Sequence, residues 1–100
     1  MHHFAYRNGV LHCEDVSLEA VARELGTPAY VYSDATLRRH YQVLAAAFTG
    51  RNVLIAYAVK ANSNIGVLAT LGALGAGADT VSGGEMLRAL EAGIPANRIV

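Results

Sequence analysis

Cys13 is the chain's single cysteine, so no internal disulfide can form, and the disulfide-stapled class of small secreted domains is excluded. A lone thiol fits a reducing compartment, and Cys13 is expected to behave as a small buried apolar residue. Charge of one sign is missing as well. Eight Lys and Arg offset eight Asp and Glu, and no basic cluster forms locally, so no field exists to gather nucleic-acid phosphates or an anionic bilayer. Nucleic-acid and membrane partners are therefore not expected. No apolar run approaches the roughly 20 residues that span a bilayer, and "MHHFAYRNG" lacks a basic region followed by an apolar core. These features predict a cytoplasmic protein. His2 and His3 read as a frayed terminus.

Several chemical motifs are also lacking. There is no Walker A loop and no H-E-x-x-H, and His12 and His40 have no ligand spacing, so no metal site is expected. The glycine-rich "GALGAGADTVSGG" does not fit a G-x-G-x-x-G turn. Its glycines at 72, 75 and 77 end a helix and precede a strand.

What is present is the composition of a packed globular chain, 53% hydrophobic and 16% charged, in 100 residues that allow one domain at most. "FAYRNGVLHC" alternates around Asn8-Gly9, a dipeptide that tolerates positive φ, and predicts a hairpin. "SLEAVARELG" sets Leu18, Val21, Ala22 and Leu25 on one helical face between a Ser17 cap and Gly26. Residues 28–33, "PAYVYS", read as a strand. "DATLRRHYQVLAAAFTG" then places Leu37, Tyr41, Leu44, Ala45 and Phe48 on one stripe of a helix that ends near Gly50.

Strand and helix alternate from there: strand 53–59, helix 65–75, strand 78–81, helix 83–92, and a third strand beginning at "RIV". This is the βαβ rhythm of a parallel sheet, and the unbroken apolar run 53–59 predicts a central strand covered on both faces. The strand-to-strand repeat of about 20 to 25 residues matches the unit of a (β/α)8 barrel, which closes at about 250 residues. The expected fold class is α/β, the start of a TIM-like barrel, with the chain as the N-terminal part of a longer protein; a self-contained doubly wound domain of 100 residues is the alternative.

Ligands of parallel α/β folds bind where strands end and βα loops gather. Two such exits exist, "KANSN" and "SGGE". The first delivers Lys60 straight after the apolar run. Lysine can act as a nucleophilic amine when neighbours or burial tune it, but an apolar strand also ends in lysine where it simply surfaces into water. Asp79 sits inside a strand pattern that otherwise wants apolar residues. It is either a buried carboxylate needing Lys60 as partner or a strand-start residue in water. Ser82 and Glu85 form the Ser-x-x-Glu of a capping box, which alone would explain both. Gly83 and Gly84 disfavour a helix by about 1 kcal/mol each relative to alanine, so they also admit a close approach to the backbone.

"YAVKANSN" followed by "GAGADTVSGGEMLRALEAGIP", with "GTPAYVYSDATLRRHY" before them, resembles the diaminopimelate decarboxylase family of pyridoxal-phosphate enzymes with alanine-racemase-like barrels. The resemblance covers nearly the whole chain, with its motifs in order. It implies that Lys60 forms the internal aldimine with pyridoxal 5'-phosphate, that Ala58 lines the cofactor pocket, and that Asp79, Glu85 and Ser82 lie beside it. It implies decarboxylation of meso-2,6-diaminopimelate, a small-molecule amino acid substrate, to L-lysine and CO2, the last step of lysine biosynthesis. A homodimer with a shared active site is implied too. On that basis residues 1–33 form a β-ribbon, helix and strand associated with a second β domain, and residues 34–100 form the first helix and first two β/α units of an incomplete barrel. Ornithine or lysine decarboxylases are the nearest alternatives, then a non-catalytic homologue or an inactive fragment on the same scaffold. Alanine racemases differ after the lysine, where this chain has Ser63 and Asn64.

Overall fold

The computed structural model describes residues 2–100, which divide into two compact units, residues 2–36 and Leu37–Val100. The first unit opens with β1 (Phe4–Arg7) and β2 (Val10–Cys13), paired antiparallel from Phe4 opposite Cys13 to Arg7 opposite Val10. Asn8 and Gly9 both adopt positive φ, 50° and 78°, as a two-residue hairpin turn requires. A second tight turn at Glu14-Asp15 adds a short β3 (Val16–Ser17), which the sequence pattern does not announce because the element is two residues long. Ser17 then caps α1 (Leu18–Leu25) by accepting the Ala20 N–H at 3.4 Å, and Gly26 ends it at φ 81°.

Two expectations for this unit need correction. Residues 28–33 form no strand. Their β-branched and aromatic side chains favour a pleated surface, but a strand exists only where a neighbour completes its ladder, and none is supplied here; Tyr30 is 90% exposed. His3 is also not frayed, since its backbone N–H donates to Thr36 Oγ1 at 3.1 Å and its Nδ1 lies 2.8 Å from the same oxygen. Cys13 is buried as expected. Burial and the neighbouring Glu14 carboxylate raise its thiol above the ordinary range.

The helix α2 (Asp34–Ala47) begins with Ser33 Oγ accepting the Thr36 N–H at 3.1 Å. The second unit continues with β4 (Ala56–Ala58), a 3-10 turn over Val59–Ala61, α3 (Ile65–Ala73), β5 (Gly77–Asp79), α4 (Gly83–Glu91) and a 3-10 turn over Ala96–Arg98. β4 and β5 run parallel, with Ala56, Tyr57 and Ala58 level with Gly77, Ala78 and Asp79. A parallel bridge then joins Ala78 to Ile99, so the onset of the next strand lies beside β5. The fold is α/β: a three-stranded antiparallel ribbon and a parallel pair with α3 between its strands.

The strand expected over 53–59 is shorter than its apolar run. Val53 and Leu54 are half exposed, Ile55 contributes only its carbonyl to Gly77 N–H at 2.9 Å, and Val59 already turns out of the ladder. β5 rather than β4 is the strand paired on both sides among the described residues. The core gathers Val59, Leu68, Ala78, Ala89 and Ile94, each at or near zero exposure. Beside it, Leu37 and Tyr41 of α2 pack on Val67, Leu71 and Ala76.

Candidate active site

Lys60 owes its place to the residue before it. Val59 is completely buried in the core with Leu68 and Ala89, and this fixes the chain as it leaves β4. Lys60 follows in the 3-10 turn, exposed, making no hydrogen bond or ion pair among the described residues. The turn and the loop after it are held at several points. Tyr57 Oη donates to the Asn62 carbonyl at 3.3 Å, Asn62 Oδ1 accepts the Asn64 N–H at 3.0 Å, and Asn64 Oδ1 caps α3 by accepting Gly66 N–H at 2.8 Å.

The second exit lies beside the first because the strands are parallel and in register. Ala58, half-buried, is level with Asp79, so the last residues of the two strands face the same end of the sheet. Asp79 is exposed and forms no ion pair with Lys60, so the buried-pair reading of this carboxylate does not hold in this chain. The physical reason is position. Asp79 is the final residue of β5, and Thr80 leaves the strand to bond the Val100 carbonyl through both its N–H, at 2.8 Å, and its hydroxyl, at 3.0 Å.

Ser82 and Glu85 serve the start of α4. Ser82 Oγ accepts the Glu85 N–H at 3.2 Å, and Glu85 Oε2 accepts the Val81 N–H at 2.8 Å, one residue further back than in the usual capping box. Glu85 is thus half-buried at a helix N-terminus with one carboxylate oxygen engaged. A Cβ added at Gly83 would meet no atom within 4 Å, so open space borders this backbone. No group of three or more His, Cys, Asp or Glu among the described residues could hold a metal ion.

One contact was not legible in the sequence. Arg88 Nη1 donates to the Ser63 carbonyl at 3.3 Å, which ties α4 to the loop after Lys60.

Fold and candidate site together define an α/β segment in which Lys60 and Asp79 follow or end two parallel, in-register strands at their carboxyl ends. The chain belongs to the pyridoxal-dependent decarboxylase family: residues 34–100 match its pyridoxal binding domain. Among curated proteins, it is 53% identical to diaminopimelate decarboxylase of Pseudomonas fluorescens over 97% of this chain and 23% of that protein. Among solved structures, the crystal structure of AQ1208 from Aquifex aeolicus superposes with a TM-score of 0.90 at 48% identity, covering 97% of this chain and 24% of that one. Diaminopimelate decarboxylase from M. jannaschii, in co-complex with L-lysine, gives a TM-score of 0.87 at 33% identity over 96% of this chain and 24% of its own. The chain spans about a quarter of the length of the curated relatives it matches.

Proposed function

We propose that this chain is the N-terminal part of a pyridoxal 5'-phosphate-dependent decarboxylase that converts meso-2,6-diaminopimelate to L-lysine and CO2. The observation that carries the reading is Lys60, an exposed amine without a partner among the described residues, directly after a core-anchored strand end, in a chain similar throughout to diaminopimelate decarboxylases. The residues suit an aldehyde cofactor. Lys60 offers the amine that would hold it covalently, Ala58 a small half-buried surface beside it, and Asp79 and Glu85 the carboxylates that would orient and tune polar groups. Ser82 and the open space at Gly83 border the approach.

When bound, pyridoxal phosphate supplies an electron sink for the pair released as the substrate carboxylate leaves as CO2. The protein's share would be to bind and orient the substrate and to return one proton to the carbon that has lost CO2. Residues 34–100 form, in this reading, the first helix and first two β/α units of a (β/α)8 barrel. Support comes from the neighbour order β4, β5 and then Ile99, parallel and in chain order. Residues 1–33 associate with a second, β domain. The enzyme works as a cytoplasmic homodimer with a shared active site; no helix among the described residues is long and apolar enough to cross a membrane.

The full-length protein is expected to absorb at the near-visible edge when loaded with pyridoxal phosphate and to release CO2 from meso-diaminopimelate. Lys60→Ala should abolish both. An unchanged absorbance band in that variant would overturn the role of Lys60, and no CO2 from the wild type would favour a non-catalytic homologue.

A further inference from the structure

We propose that Arg88 is a positioning residue for the Lys60 amine, a strut from α4 that fixes the loop on which the lysine stands. The inference rests on the proposed role of Lys60. A single 3-10 turn has no extended ladder to hold it, so the placement of Lys60 depends on what grips the chain on either side. On the upstream side, Val59 does this by complete burial. Downstream, the bonds of Tyr57 to Asn62 and of Asn62 to Asn64 lie within the same stretch of chain. The Arg88 bond to Ser63 comes from a different element, 25 residues away in sequence.

The strut is well founded. Its neighbour Ala89 is fully buried in the cluster that also holds Val59, so the backbone carrying Arg88 and the backbone carrying Lys60 share one rigid core. Arg88 makes no ion pair among the described residues, so its guanidinium is free to give a charge-assisted bond to a carbonyl. Glu85 stands one turn earlier on the same helix, its carboxylate fixed to Val81 N–H. Arg88 therefore links the position of the lysine loop to the helix that carries Glu85.

The test uses the full-length protein and two readouts. In the cofactor-free protein, Arg88→Met should raise amide hydrogen exchange at residues 60–64 while the amides of Val67 to Leu71 keep their protection. On adding pyridoxal phosphate, the rate at which Lys60 becomes trappable by borohydride, read by mass spectrometry, should fall by about tenfold, a part of the roughly hundredfold that a 1 Å misplacement of a reacting group can cost. Arg88→Lys, which retains a cationic donor, should recover much of that rate. Unchanged exchange and trapping in Arg88→Met would overturn the inference; failure of the wild type to trap at Lys60 would instead overturn the proposed function. If Arg88→Met does not fold, Arg88→Gln is read the same way, with an unchanged rate again decisive against the strut.

Discussion

Glu14 carries more of the first unit than its exposed position suggests. One carboxylate oxygen accepts the Ala35 N–H at 2.8 Å and the Ser33 hydroxyl at 2.7 Å, while Glu14 itself stands at φ 56° in the second turn of the ribbon. The Ala35 bond, then the Ser33 bond, hold its carboxyl below the ordinary glutamate range. A depressed pKa means that the folded state binds the proton less readily than the unfolded chain. The stabilisation is thus complete above the ordinary glutamate value and is lost as pH falls through the lower folded value. Acid unfolding of the full-length protein, followed by exchange at the amides of Ala35 and Thr36, should begin at higher pH than in a Glu14→Gln variant relative to each protein's own neutral baseline. Equal acid sensitivity in the two would show that Glu14 is not the titrating group. None of this was legible in the sequence. A Glu between a hairpin and a helix reads as solvated, and only the fold brings Ser33 and Ala35 to it. Lys60 is the contrary case, since its position after an apolar run and before "ANSN" marked it in the sequence, whereas the pattern left open whether Asp79 is buried or in water.

At the scale of elements, hydrophobic period, capping residues and the strand–helix alternation located the four α-helices, because those signals are local. The Asn8-Gly9 hairpin was legible for the same reason, while the 3-10 turns at Val59–Ala61 and Ala96–Arg98 and the Asn64 cap were not read. Strands fared worse, since a strand is defined by its neighbour. Residues 28–33 have strand-forming side chains and no ladder partner; Tyr30 and Tyr32 instead border an open apolar groove with Val16, Val21 and Leu25. The packing of β5 against the 96–98 turn depends on a close approach that a side chain would block. A Cβ at Gly77 would collide with the Arg98 carbonyl oxygen and press on Leu54. Gly77→Ala should therefore force β5 and the 96–98 turn apart and destabilise the full-length protein by about 1 to 3 kcal/mol, the usual scale of overpacking. Chemical denaturation measures this, and a midpoint within error of wild type would mean that the turn yields freely.

At the scale of the whole chain, the second unit is organised around Leu68, Ile94 and Val59, the largest side chains removed completely from solvent. Leu68→Ala should cost about 2 to 5 kcal/mol through lost burial and the cavity left behind. Its effect should reach the lysine turn, because Val59 leans on the same cluster. Exchange protection at Val59 and Lys60 amides should fall together with that of α3; a loss confined to α3 would contradict a shared core.

Periodicity, caps and the two motif segments were sufficient in the sequence to establish the order of helices and turns, the βαβ rhythm and the candidacy of Lys60, because each rests on residues close together in the chain. Tertiary structure alone decided which strand is paired on both sides, where the 53–59 run stops being a strand, that Asp79 lies in water apart from Lys60, and that Arg88 reaches Ser63. Those outcomes depend on contacts between residues some 20 to 40 positions apart, and a linear pattern carries no record of which distant groups share the same few ångströms.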